Sequence, residues 1–471
     1  MKPKQRWITV TALLLLVSGT FWAISAQAAG GKIWLPFINS SSVSSAATAT
    51  PPPPTVNTGP PTATPTTTPP AAQCVPFQPG ISTEQVDLPP EDDASRRLTV
   101  PSGFAVRIFA KGLNGPRLMA IGPDGALYVA ERGKGRVVRL ADADNDGLAD
   151  AVEPVATGLT GAHSVAWCQD QASKQHVMYI AVNDGVVKWQ DGVLVKSPIV
   201  SGLAGSGHST RTAHISPDGY LYVTAGSSCN ACIETDKRRA TIMRYNLDGS
   251  IPTDNPFAND SDPNRRPVWA EGLRNSVDFL WMPDGQLWAN MNSSDGLDDN
   301  VPPEPAVINI EKGRHYGWPF CYTPVLGAVP PGTKEVRDTT NNVPFAAPIS
   351  NCDQPMPALF TDLAHQAPLG MARYSATQFP AQYQGGLFEA YHGSWNTDNV
   401  ANYRDCKVQF IQVQDGKPTA SSTFLDGFRE PNQKCGSAWG RPAGVAVGPH
   451  GELFVSDDQN GNIYRVVYTG K

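Results

Sequence analysis

The stretch PDGALYV at residues 123–129 decides how the chain is read, because it returns. PDGYLYV stands at 217–223, PDGQLW at 283–288 and PHGELFV at 449–455, with weaker copies QHVMYIAV at 175–182 and YQGGLFEA at 383–390. Pro-Asp-Gly makes a tight turn whose glycine takes a positive φ, and the Leu-Tyr-Val run after it reads as a buried strand. GRVVRL (135–140), GVVKW (185–189), TIMRY (241–245) and NIYRVVY (462–468) follow as second strands of hairpins. Six units over about 370 residues give roughly 60 residues each, the spacing of propeller blades that carry insertions. No stretch reads as a long amphipathic helix. The expected fold is therefore all-β, a six-bladed β-propeller over residues 78–471, with a β-sandwich or solenoid as the runner-up. Propeller loops converge on a central channel, which gathers polar residues from distant blades around one pocket.

Ahead of the repeats the composition changes twice. Lys2, Lys4 and Arg6 precede an apolar run that ends in the small-x-small step Ala26-Gln27-Ala28. This reads as a secretory signal peptide over residues 1–28, with an uncleaved anchor helix as the alternative. Sixteen of residues 51–70 are Pro or Thr, so residues 29–77 are expected to form an extended, disordered linker. Such a stalk suits attachment at the cell surface. The chain has 8 Cys and a net charge of -6. An even cysteine count in an exported chain favours disulfides, and Cys229 and Cys232 are expected to pair locally, with Cys321–Cys352 and Cys406–Cys435 the pairs nearest in sequence. The charge excludes a nucleic-acid binder, which needs a basic face.

Six stretches beside the blade strands carry chemistry. GHSTRTAHISPDG (207–219) holds His208, Arg211 and His214; EGLRNSVDFLWMPDG (271–285) holds Arg274 and Asn275. Residues 292–319 are rich in Asp and end in Tyr-Gly-Trp-Pro, and HQAPLGM spans 365–371. YHGSWN (391–396) carries His392, with Arg404 beyond it, and WGRPAGVAVGPHG (439–451) carries Arg441. Each alone reads as packing or a satisfied polar residue. Together they bring Arg, His and carboxylates to one channel, which suits a multiply anionic ligand and a hard cation held by oxygens. Separately, DADNDGLADAVE (142–153) fits a calcium-loop spacing through Asp142, Asp144, Asp146 and Glu153, with an acidic hairpin turn as the bland reading.

Residues 100–470 resemble the pyrroloquinoline-quinone (PQQ)-dependent glucose/sorbosone dehydrogenases, and among them the L-sorbosone dehydrogenase branch. The resemblance is carried by RYNLDGSIPTDNPF (244–257), GLRN (272–275), YGWP (316–319), HGSWN (392–396), GRPAGVAVGPHGELFVSDD (440–458) and GNIYRV (461–466). It implies a six-bladed propeller that oxidises an aldose or a sugar-derived aldehyde, with PQQ in the channel and Ca2+ beside it. It implies His208 as general base, nine residues before Pro217, and leaves His214 as a strand residue. Arg274 would stabilise charge on the quinone oxygen; Arg211, Asn275, His392, Arg404 and Arg441 would contact the cofactor. Asp295, Asp298 and Asp299 are the expected calcium ligands, in a region that departs from the glucose enzymes, and His163 stands where those enzymes carry a pocket Gln. Electrons would leave to an external quinone or cytochrome. The alternatives are a calcium-dependent propeller hydrolase such as a lactonase, which needs a channel poor in Arg, or a non-catalytic binding propeller.

Overall fold

The structure is a computed structural model that describes residues 74–82, 86–394 and 396–470. The leader and most of the linker expected from the sequence lie outside these residues, as does Trp395. One five-residue helix, Asp93–Arg97, and a few 3-10 turns accompany the strands among the described residues. Six antiparallel sheets of four or five strands form the blades, and a separate two-stranded ribbon joins Cys321–Tyr322 to Val336–Arg337.

The six copies of the repeat are the second strands of the six blades. They are Leu127–Glu131, His176–Val182, Leu221–Ala225, Leu287–Ala289, Leu387–Tyr391 and Leu453–Asp457. Nearly all of their residues are buried, as a strand flanked by neighbouring blades on both faces must be. Ahead of four of them the turn closes identically. Gly125, Gly219, Gly285 and Gly451 all have φ between +81° and +87°, and each donates its N–H back across the turn to the residue before the Pro.

The first strands of the blades line the channel: Pro116–Ile121, Ser164–Asp170, Ala213–Ile215, Phe279–Trp281, Pro368–Arg373 and Pro442–Val447. They are cross-linked by hydrogen bonds, among them Leu118 N–H to the His163 carbonyl (3.0 Å) and Met371 N–H to Asp278 Oδ2 (2.9 Å). The last sheet joins Phe104–Ala110, from the start of the propeller, to Asn462–Tyr468 from its end. This pairing closes the ring.

Described structure reaches back before residue 78, into the stretch expected to be linker. Cys74–Pro76 pairs with Ser164–Asp170 as a fifth strand, and Cys74 is bonded to Cys168 on that same strand. The other disulfides are Cys229–Cys232, Cys321–Cys352 and Cys406–Cys435, the three pairs expected from the sequence.

Candidate active site

A cavity of about 270 Å³ opens where the loops entering the first strands meet those leaving the second strands. Four blades supply its walls. His208, Arg274 and Arg441 come from the entering loops, with His365 and Ala367; Asn292, Asp295, His392 and Asn396 come from the leaving loops; Glu304 opens a third strand.

His208 is half-buried, and its Nδ1 lies 2.9 Å from Ser227 Oγ and 3.1 Å from the Ser227 carbonyl. Ser227 Oγ donates its own proton to the Cys229 carbonyl at 2.6 Å. Nδ1 is therefore the protonated nitrogen, and Nε2, which has no hydrogen bond among the described residues, carries a free lone pair. Burial, and then the charge of Arg274, pull the imidazole down to about 4, so it is neutral near pH 7. Gly226 makes this packing possible: a Cβ there would meet His208 Cβ and Asn275 Oδ1, both at 2.5 Å.

Arg274 is buried and firmly held. Nε donates to the Asn230 carbonyl (3.0 Å), and Nη2 donates to Asn230 Oδ1 (2.8 Å) and Asp295 Oδ2 (2.9 Å). Nη1 has only a 3.4 Å contact with the Asn292 carbonyl, so donor capacity remains for a ligand. Arg441 is similar: Nε donates to the His392 carbonyl at 2.9 Å, and Nη1 has no partner among the described residues. His392 Nε2 lies 2.9 Å from Asp458 Oδ1, and Arg117 pairs with the other oxygen.

Two carboxylates reach the cavity. Asp295 sits between Arg274, Asn396 and His365, whose Nδ1 is 3.6 Å away. Burial pushes its pKa up, but these neighbours outweigh burial and hold it below the usual range. Glu304 is 4% exposed and accepts the Ser293 N–H at 2.6 Å. It has no paired cation, and burial raises it to about 7.

Several expected residues lie elsewhere. Arg211 is buried with its guanidinium donating to the carbonyls of Ala204, His208 and Thr210, so it braces the His208 loop and does not line the cavity. Asn275 sits one layer below, donating to Asn292 Oδ1 at 3.0 Å. Arg404 donates to the Asp299 carbonyl and Asn300 Oδ1, both at 2.8 Å, and fixes the acidic loop from behind. Asp298 and Asp299 do not face the cavity. Asp298 accepts its neighbour Asn300 N–H, and Asp299 accepts from Asn399 and Asn402, because short carboxylates satisfy nearby turn N–H groups. Glu304 lines the cavity instead. His163 is buried between Arg117 and the Arg211 carbonyl, and His214 bonds Asp278 from its strand; neither lines the cavity. In the loop at 142–153, Asp142, Asp144 and Asp146 come within 4.8 Å of one another. Glu153 does not join them; it sits in its own strand and accepts from Arg139 at 2.7 Å.

Fold and site thus define a six-bladed propeller with a cationic channel mouth that also carries two carboxylates. Residues 98–469 match the TrAA12-like family, and the chain belongs to it. It is 26% identical over 255 residues to the aldose sugar dehydrogenase YliI of Escherichia coli, covering 53% of this chain and 57% of that protein. It is 25% identical over 432 residues to the PQQ-dependent pyranose dehydrogenase of Coprinopsis cinerea, covering 82% of this chain and 56% of that protein. This chain therefore spans little more than half the length of these curated relatives. The calcium structure of the Trichoderma reesei family AA12 enzyme shares the fold, with a TM-score of 0.62, 19% identity and coverage of 82% and 99%. The resemblance to quinone-dependent sugar dehydrogenases expected from the sequence holds at the level of the family.

Proposed function

We propose that this chain is an exported dehydrogenase that oxidises an aldose, or a sugar-derived aldehyde such as sorbosone, using PQQ and Ca2+. The observation that carries this is the pairing of an unpartnered His208 Nε2 with two guanidiniums, Arg274 and Arg441, on one small cavity. The named activities of the E. coli and C. cinerea relatives support it. The donor set fits the cofactor: Arg274 and Arg441 have N–H groups to spare for an anionic quinone, and Asp295 and Glu304 offer hard oxygens to calcium.

When bound, the quinone supplies the hydride acceptor, which no side chain can provide. His208 Nε2 takes the proton of the C1 hydroxyl, or of the hydrate of an aldehyde, while Ser227 holds the ring in the tautomer that leaves Nε2 bare. Arg274 places positive charge where an oxyanion develops, already fixed by Asn230 and Asp295 before reaction. Arg441 and His392 line the same cavity, and the Asp458–Arg117 pair orients His392. Electrons then leave to an external acceptor. Four disulfides support an oxidising compartment.

The test is reconstitution of the purified protein with PQQ and calcium while the quinone spectrum is followed as aldoses are added. Bleaching to the quinol is expected. Binding of the quinone without bleaching by any aldose or aldehyde would remove the sugar-oxidation reading.

A further inference from the structure

Asn230 does not line the cavity, yet every polar atom of its side chain is engaged with residues that do. Oδ1 accepts from Arg274 Nη2 (2.8 Å) and from the Asp295 N–H (2.8 Å), and Nδ2 donates to the Asp295 carbonyl at 2.7 Å. Its backbone carbonyl accepts from Arg274 Nε and from Trp318 Nε1, both at 3.0 Å. Asn230 lies inside the four-residue loop closed by the Cys229–Cys232 disulfide. At the start of that loop the Cys229 carbonyl takes the Ser227 hydroxyl proton, the bond that turns the Ser227 lone pair toward His208 Nδ1. Ser227 N–H in turn donates to the Arg274 carbonyl at 2.7 Å.

We infer that the Cys229–Cys232 loop is a positioning element that sets His208 and Arg274 relative to each other, through Ser227 on one side and Asn230 on the other. The inference rests on the reading of those two residues as the base and the oxyanion donor. The spacing of the disulfide supports a local role. It closes a separation of 3 residues, against 94, 31 and 29 for the other three, so it restricts the unfolded chain least. What it restricts is the direction of the Cys229 and Asn230 carbonyls. The loop is anchored from outside as well: Glu234 accepts from Ser228 N–H and Oγ at 2.6 and 2.8 Å, and Asn341 Nδ2 donates to the Ala231 carbonyl at 3.0 Å. A guanidinium gripped through Nε and Nη2 by one residue cannot swing, so its free Nη1 edge has one direction. Preorganisation of this kind acts on the transition state more than on substrate binding.

Two variants of the full chain test this, Asn230→Ala and the double substitution Cys229→Ser with Cys232→Ser. Each is assayed for kcat and KM with one aldose, for thermal midpoint, and in the apo protein for the Arg274 Nε–H proton signal. Expected is a fall in kcat of about 10- to 100-fold with KM within about threefold of the parent. The midpoint should hold, and the Nε–H signal should lose its protection from solvent exchange in Asn230→Ala. Parental kcat in both variants, or a protected Nε–H in Asn230→Ala, overturns the inference. If the parent itself reduces no quinone, the functional reading fails instead, and the apo signal still decides whether Asn230 holds Arg274.

Discussion

His208 Nδ1 lies 2.9 Å from Ser227 Oγ, and this contact leaves Nε2 as the ring nitrogen with a bare lone pair. The serine can only accept, because its proton is committed to Cys229. His208→Ala should therefore keep quinone binding and lose turnover by about 10²- to 10⁴-fold. Quinone titration followed by steady-state rates checks this, and near-parental turnover would take the base role from His208.

The same imidazole sets the pH profile. Burial and the Arg274 charge depress it to about 4, and only the neutral ring accepts a proton. The rate constant kcat/KM should be flat at neutral pH and fall as pH drops through about 4. Arg274→Gln removes the neighbouring charge, so the acid limb should move upward, toward the ordinary histidine value near 6.5. A limb that stays in place would mean another group titrates.

Arg441 lines the same cavity as Arg274, and its Nη1 has no partner among the described residues. Removing a charge-assisted bond costs about 1.5–3 kcal/mol, so Arg441→Ala should weaken quinone binding by roughly 10- to 100-fold. Fluorescence titration of the apo protein reads this directly.

Glu304 is buried and makes no ion pair among the described residues. Glu304→Gln keeps the shape and removes the charge. The calcium concentration needed for half-maximal quinone binding should rise, whereas Asp298→Asn, in an exposed turn, should leave it unchanged. Equal calcium requirements in the parent and Glu304→Gln would remove Glu304 from the cation site.

The Cys74–Cys168 bond closes a separation of 94 residues. Replacing both cysteines by Ser should cost about 2–4 kcal/mol in denaturant unfolding, with little change in kcat. Cys74 pairs opposite Asp170, and no residue of that strand lines the cavity.

Blade number was legible because four of the second strands follow a Pro-Asp-Gly or Pro-His-Gly turn, and the other two repeat the apolar run that follows it. His208, Arg274 and Arg441, which line one cavity, were singled out through motif resemblance. Glu304 was missed because it opens an apolar strand run, EPAVINI, outside the Asp-rich loop, although a lone acid at the start of such a run is itself a signal of a buried carboxylate. Asp298 and Asp299 look like ligands as adjacent aspartates in a loop, yet Asp298 takes the N–H two residues on and Asp299 takes donors from the 398–402 loop, and neither lines the cavity. Asn230 and Ser227 act at second remove, through bonds no spacing in the sequence encodes.

The pairing of Phe104–Ala110 with Asn462–Tyr468 also imposes an order in time. During synthesis, the strand at 104–110 emerges first and waits, edge exposed, until nearly the whole propeller has been made. Arg441 and Arg274 line one cavity of a closed ring only after that. Cofactor capture is thus a late event in the life of this chain, and an unfinished or C-terminally clipped molecule would have a site with one wall missing.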